Sequence, residues 1–202
     1  MDEILLKEVK SKTILFAACF LIVLGGWGAA RSYKTAKAQK IYYTTRFHNG
    51  EEKDSIPLMS MGGAVDAAMK LYPYNYYFLM YACRNALNDA QNASTKEEYD
   101  FYINWARQYV RRAMALNPYQ AQIRWLHAEI LAESGKVDEA IDYWVNDVVD
   151  REFWNSSHHE FLVRLYLRST KSGSLKKAVD ELPFIKDAEL RKRLTKLQKL
   201  LK

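Results

Sequence analysis

The chain has 202 residues, enough for one domain of ordinary size and a short additional segment. Hydrophobic residues make up 49% and charged residues 27%, which is the composition of a globular protein rather than a disordered one. The net charge of +6 arises at the ends of the chain, because residues 49–175 carry 13 Lys and Arg against 17 Asp and Glu. This distribution argues against a basic nucleic-acid groove through the middle of the protein.

An uncharged segment at residues 13–30 predicts a transmembrane helix after a short N-terminal tail, residues 1–12. Eighteen helical residues span about 27 Å, close to the roughly 30 Å of a hydrocarbon core, and the flanking Lys12 and Arg31 have side chains that can snorkel. The alternative is a cleaved signal peptide with Gly28-Ala29-Ala30 as its cleavage site. The tail holds three acidic residues, which is unusual for a signal peptide, so the sequence favours the anchor.

Small residues spaced four apart in this segment predict a face that packs closely against another transmembrane helix: Gly25 with Ala29, and Gly26 with Ala30. The orientation of the segment is less constrained. Three lysines precede the span and four basic residues follow it, which favours a cytoplasmic domain. A short tail before an anchor, however, more commonly stays inside, which places the domain outside. We expect a single-pass membrane protein with its domain on the extracytoplasmic side, the periplasm in a bacterium.

After the anchor, the sequence of residues 31–61 predicts a connecting helix over 31–48 followed by a loop near Asn49–Pro57. Residues 62–72 then form the second helix of a degenerate first repeat. Self-comparison supports a repeat, because the Ala-Met-Lys-Leu-Tyr-Pro-Tyr of residues 68–74 recurs as Ala-Met-Ala-Leu-Asn-Pro-Tyr at residues 113–119. A repeating unit of helices is the simplest explanation.

Two helical hairpins with the same internal spacing follow this motif. The glycines Gly135 and Gly173 are each followed, five residues later, by a small residue, Ala140 and Ala178. A glycine ends one helix in the left-handed conformation, and a small residue lets the next helix approach its partner. Larger residues then fill the space between successive hairpins: Val110, Leu131, Trp144 and Leu182.

These features resemble the tetratricopeptide-repeat (TPR) family, in which the repeat length of 34 residues equals the separation of Ala106 from Ala140. The resemblance covers residues 62–192 and implies an all-α solenoid of about three TPR-like hairpins behind the transmembrane helix. The hairpin between Asn75 and Pro118 is longer than one repeat, which predicts an insertion around Gln91–Tyr99.

A basic amphipathic helix is predicted at residues 188–202. Leu190, Leu194, Leu197 and Leu201 form one stripe, surrounded by lysines and arginines. We interpret it as the cap that covers the open end of a solenoid. The alternative interpretation is contact with anionic lipid or an acidic partner.

The chain shows no motif typical of catalysis, cofactor binding or metal binding. His158-His159-Glu160 is the one local cluster of chemical groups. Adjacent helical residues point about 100° apart, so the two histidines lack the spacing of a zinc pair, and we expect them to be solvated or capping groups. The sequence therefore predicts a non-enzymatic protein without cofactor or metal.

In TPR proteins the first helix of each hairpin lines a concave groove, and the resemblance therefore implies a partner-binding surface. By this register the groove residues are Tyr77, Met80, Tyr81, Arg84, Asn88, Gln122, Trp125, Glu129, Arg164 and Lys171. Chaperone-binding members of the family hold a peptide carboxylate with cationic and amide side chains in this groove. At the corresponding positions of this chain only Arg164 fits that pattern, so we do not expect a carboxylate clamp.

The function that these features predict is a membrane-anchored scaffold for protein–protein interaction, an accessory subunit of a larger membrane complex. The architecture resembles membrane-anchored repeat proteins that accompany the bacterial Sec translocon, and the Leu-Asn-Pro-Tyr motif is similar to repeats in O-antigen-ligase-like proteins. A membrane-surface module that binds anionic lipid through its C-terminal helix is the alternative, and an enzyme is the remote one.

Overall fold

The computed structural model describes residues 2–47 and 61–201, with side chains for 13–45 and 62–201. All regular structure among these residues is helical, and the chain divides into two compact units, Met1–Tyr74 and Asn75–Lys202. The all-α class predicted from the sequence is confirmed. The predicted loop near Asn49–Pro57 lies outside the described residues.

The first unit contains helices α1 (Asp2–Phe47) and α2 (Met61–Leu71). At 1.5 Å per residue, the 46 residues of α1 extend about 69 Å, more than twice the thickness of a hydrocarbon core. The helix predicted over 31–48 is therefore a direct continuation of the apolar segment. The predicted helix over 62–72 is present as α2, and it contacts α1 within this unit. The predicted repeat domain began at residue 62, whereas the division into units places α2 with α1.

The second unit consists of three helical hairpins and a final helix. Their helices are α3 (Tyr76–Gln91) and α4 (Lys96–Leu116), α5 (Ala121–Glu133) and α6 (Val137–Trp144), α7 (Ser156–Arg168) and α8 (Ser174–Asp180), and α9 (Ala188–Leu200). Each helix contacts its hairpin partner, and α4, α6 and α8 also contact the element that follows. This succession of packed hairpins is the solenoid predicted from the repeat.

Local chemistry explains where the hairpins turn. Gly135 and Gly173 have φ values of 78° and 84°, a left-handed conformation that L side chains rarely adopt. Asn75, Thr95 and Asn155 place side-chain oxygens on free N–H groups at the starts of α3, α4 and α7. The extra length predicted around Gln91–Tyr99 is mostly helical, because the connection is only 92–95 and α4 extends for 21 residues.

The core follows the predicted alternation of small and large side chains. Ala106, Ala128, Ala140 and Ala178 are fully buried where helices approach each other, and Val110 and Trp144 are buried beside them. Leu131 and Leu182 are partly buried against the same core. Small side chains permit the close helix contact, and large ones fill the space that remains.

Arg124 places a charged side chain in the interior near the start of α5. It is buried, its Nε donates to the carbonyl of Pro118 at 2.8 Å, and its Nη1 donates to the carbonyl of Asp147. Asp147 lies in a π-helical continuation of α6, Val145–Val149. The arginine thus ties the connection between two hairpins to the end of the second one.

The last helix covers the end of the core. Leu194 of α9 is fully buried and Leu190 is partly buried against the same cluster, whereas Leu201 is exposed. Asp187 caps α9 by accepting from the backbone N–H of Leu190 at 2.7 Å. The capping role predicted for this helix fits that packing.

Candidate protein-binding groove

A pocket of about 320 Å³ opens between the first helices of the second and third hairpins, α5 and α7. Its lining combines aromatic rings, charged groups and small polar groups from α5, α6 and α7: Ala121, Gln122, Trp125, Trp144, Ser157, His158, Glu160, Phe161 and Arg164. Three of the predicted groove residues, Gln122, Trp125 and Arg164, therefore share one surface.

The floor of the pocket is formed by buried aromatic rings in contact with each other. Trp144 is buried, its indole N–H donates to the carbonyl of His158 at 2.9 Å, and its ring meets Phe161 edge to face at 4.7 Å. The Trp125 ring lies 5.7 Å from Phe161 and is only half-buried. The pair of buried rings thus supports the Trp125 ring, which remains partly accessible to a ligand.

Charge in the pocket comes from α7. Arg164 is exposed, and Glu160 accepts from the backbone N–H groups of Lys186 and Asp187 at 3.1 and 3.0 Å through one carboxylate oxygen. These bonds occupy part of the capacity of the Glu160 carboxylate and fix its position. Arg164 is consequently the cationic side chain that the pocket presents to solvent.

The predicted residues of α3 lie outside this pocket. Tyr77 is 53% exposed and stacks on Tyr76 with ring centroids 4.4 Å apart, and Arg84 and Asn88 are exposed as well. Tyr81 is half-buried. Met80 is only 6% exposed, so the structure places it in the core, and its inclusion in the groove surface was wrong. The thioether fills interior space as methionine often does.

Glu129 and Lys171 also lie away from the pocket lining. Glu129 is half-buried 3.9 Å from Arg168, and Lys171 pairs with Asp138 at 3.5 Å near the hairpin turns. Burial raises the pKa of Glu129, the nearby Glu133 raises it further, and Arg168 and Arg164 oppose the shift. Both residues contribute to polar contacts between hairpins.

Sequence reasoning missed a polar network that joins all three hairpins. The Tyr99 hydroxyl lies 2.8 Å from the carbonyl and 2.9 Å from a carboxylate oxygen of Glu133, which also pairs with Arg168 at 3.1 Å. Burial and then the bond to Glu133 raise the pKa of Tyr99 to about 12. The separation of Tyr99 from Glu133 is 34 residues, one repeat length, and this was the signal that could have revealed the network.

The two histidines are not the solvated or capping groups that the sequence suggested, because both rings are buried. The His159 ring stacks on Phe184 at 4.3 Å, with Nδ1 2.6 Å from Glu181 and Nε2 2.7 Å from the carbonyl of Phe153. Burial lowers the pKa of His158, which packs edge to face on Trp144. His158 packs against the preceding hairpin and His159 against the end of its own hairpin, and the sequence of α7 alone reveals neither contact. The described side chains contain no group of three potential metal ligands.

In the first unit, the small-residue face of α1 is open. A Cβ atom added at Gly25 or Gly26 would meet no atom within 4 Å, and Ala29 is exposed. Ala30 instead lines a cleft beside α2. Contact of this face with another transmembrane helix stays a prediction.

The stacked hairpins, the small residues at their contacts and the capped end define a TPR-like helical-repeat fold. The chain is similar in structure to a thermophilic TPR protein of Thermus thermophilus known from its crystal structure. The TM-score is 0.59 with 18% sequence identity, over 89% of this chain and 94% of that one. At this identity the likeness shows the fold. No family model and no curated protein matches the chain.

Proposed function

We propose that this protein is a single-pass membrane scaffold whose TPR-like hairpins bind another protein, as an accessory subunit of a larger membrane complex. The observation that carries this proposal is the pocket between α5 and α7, where Trp125 and Arg164 are both accessible. Tryptophan and arginine are among the residues most enriched at energetic hot spots of protein interfaces. The proposed role is binding rather than catalysis.

The anchor in this proposal is the first part of α1, the part of the described chain that is long and apolar enough to span a membrane. Its large apolar side chains are largely exposed, Phe16 at 76% and Ile22 at 73% among them. In water such a surface would be unfavourable, at roughly 25 cal/mol for each Å² of apolar area, whereas hydrocarbon covers it. We propose the extracytoplasmic side for the hairpins.

Membrane fractionation tests the anchor. The intact protein should remain in the membrane pellet after alkaline carbonate extraction, and terminal sequencing should find residues preceding the apolar segment. A mature protein that begins at Arg31 would show that residues 1–30 are a cleaved signal peptide. Protease protection in sealed, right-side-out vesicles then reports the side of the hairpins.

A double variant tests the groove. Arg84→Ala with Arg164→Ala removes two exposed cations from first helices, so helicity and melting temperature should stay unchanged while the partner is lost from crosslinked complexes. A hot spot costs about 2 kcal/mol or more, which is roughly a thirtyfold loss of affinity. The matched control is Arg111→Ala with Lys176→Ala, which removes equal charge from exposed positions on second helices. Equal loss in both variants, or retention in the first and in Trp125→Ala, would place the binding surface elsewhere.

The alternative function, binding of anionic lipid through α9, is supported by a row of exposed cations. Arg191, Lys192, Arg193, Lys196 and Lys199 are all exposed, and no ion pair joins them to the described side chains. Flotation of residues 75–202 with vesicles of phosphatidylglycerol, compared with phosphatidylcholine, separates the two functions. Flotation that depends on α9 cations and on anionic lipid favours the alternative.

A further inference from the structure

A cleft of about 170 Å³ lies within the first unit, between α1 and the C-terminal end of α2. One wall is a single face of α1, with residues spaced at helical intervals of four and three: Trp27, Arg31 and Lys34, joined by Ala30 and Thr35. The other wall is the end of α2 and the residues that follow it, Leu71–Tyr74. The proposed scaffold function gives this cleft no role.

The cleft is cationic. Its lining contains Arg31 and Lys34 but no acidic residue, and neither cation forms an ion pair with another described side chain. The Arg31 guanidinium lies 5.3 Å from the centre of the Trp27 ring, a contact that leaves its N–H groups free to donate. The carboxyl end of α2 contributes at most about half a negative charge, so the two full positive charges dominate.

The position of the cleft along α1 matters as much as its charge. Trp27 belongs to the uncharged 13–30 segment and Arg31 follows it directly, so the cleft begins where the apolar segment ends. The rise from Trp27 to Lys34 is about 10 Å, long enough to cross the roughly 5–8 Å of headgroup region on one side of a bilayer. If α1 spans a membrane, these side chains lie at the depth of lipid phosphates, where tryptophan and tyrosine are also favoured.

We propose that this cleft binds the phosphate of an anionic phospholipid from the adjacent leaflet. Arg31 donates a pair of N–H groups to the phosphate oxygens and Lys34 supplies a second positive charge, while Trp27, Tyr72 and Tyr74 flank the glycerol and the start of the acyl chains. The volume is close to that of roughly six water molecules at about 30 Å³ each, which accommodates a phosphate with part of its headgroup. The proposal rests on the proposed membrane anchor.

The test uses the full-length protein purified in a neutral detergent and titrated with single lipids, with bound lipid counted by native mass spectrometry. The probes are phosphatidylglycerol, phosphatidylcholine and soluble glycerol 3-phosphate. The variant Arg31→Gln with Lys34→Gln removes both cleft cations. Its matched control, Lys37→Gln with Lys40→Gln, removes the same charge from exposed positions of the same helix outside the cleft. Arg31→Lys with Lys34→Arg keeps the charge and reports whether the cleft residues can be changed without loss of folding.

We expect the wild-type chain to retain phosphatidylglycerol at least tenfold better than phosphatidylcholine. Loss of both cleft cations should weaken phosphatidylglycerol binding roughly thirtyfold, at about 1 kcal/mol for each cation. The affinity of the control and of the charge-preserving variant should stay within about threefold of wild type. Equal weakening by the control would overturn a specific site. Competition by glycerol 3-phosphate at equal concentration would assign the cleft to a soluble phosphate instead.

The carbonate extraction described above distinguishes this proposal from the anchor. A protein that is extracted by carbonate contradicts the anchor, and the lipid site falls with it. A protein that resists extraction but shows no cleft-dependent preference for phosphatidylglycerol overturns the lipid site alone.

Discussion

Trp144 provides the most direct test of how the hairpins are held together, through the substitution Trp144→Phe. The side chain is 1% exposed, and its indole N–H donates to the carbonyl of His158 across two hairpins at 2.9 Å. A phenylalanine keeps an aromatic ring opposite Phe161 but has no donor. The carbonyl of His158 would then be buried without this partner.

The expected cost follows from that lost donor. The His158 carbonyl lies within α7 and keeps its intrahelical partner, so loss of the indole bond costs about 0.5–1.5 kcal/mol, and the smaller ring adds a transfer and cavity cost of about 1 kcal/mol. We expect a destabilisation of about 1.5–2.5 kcal/mol, or a melting temperature lower by roughly 5–10 °C for a unit of this size. Urea unfolding of residues 75–202, followed by far-ultraviolet circular dichroism, measures it.

Trp125→Phe is the matched control, because Trp125 contacts the same Phe161 ring, is half-buried, and makes no hydrogen bond with the described residues. It should cost less than about 1 kcal/mol. If Trp144→Phe costs no more than Trp125→Phe, the indole hydrogen bond does not stabilise the contact between hairpins, and the reasoning is refuted.

Three further predictions concern the same unit. Ala140→Leu should overpack the fully buried contact within the second hairpin and cost roughly 1–3 kcal/mol, and an unchanged thermal transition would contradict that register. Gly173→Ala should cost about 1 kcal/mol through its φ of 84° alone, since an added Cβ atom meets no neighbour, as equilibrium unfolding can verify. Burial lowers the pKa of His127 and His158, so their contribution to stability is complete above pH 6.5 and declines below it. Urea titrations at pH 7.5 and 5.5 should show a lower free energy of unfolding at pH 5.5. The variant His158→Gln should reduce that difference between the two pH values.

The repeat architecture could be predicted because its signals are local. A left-handed glycine such as Gly135 or Gly173 ends a helix whatever surrounds it, and a proline such as Pro118 separates one hairpin from the next. Alanine recurring at one repeat length then identifies where helices approach. These constraints operate within a few residues, so the printed sequence contains them.

The side chains whose burial was not predicted depend on tertiary contacts with elements other than their own helix. His159 is buried because Phe184 and Glu181 reach it from beyond α8, and Met80 is buried although its neighbour Tyr77 is exposed. Arg124 donates to a carbonyl of the π-helical turn after α6, and no residue pattern in the sequence predicts that turn. Periodicity places a residue on a helix face, but the neighbouring hairpin determines whether that face is covered.

The pocket between α5 and α7 follows from the same division between local and tertiary constraints. Trp144 is buried in the core, Trp125 is half-buried beside it, and Arg164 of α7 is exposed to solvent. Truncation along this series should therefore affect folding less and binding more, because each step removes fewer interior contacts. A protein that needed these rings only for packing would lose stability at Trp125 and nothing at Arg164. A binding surface predicts that truncation of Arg164 weakens partner binding while folding stays unchanged, so that arginine separates the two roles of the groove.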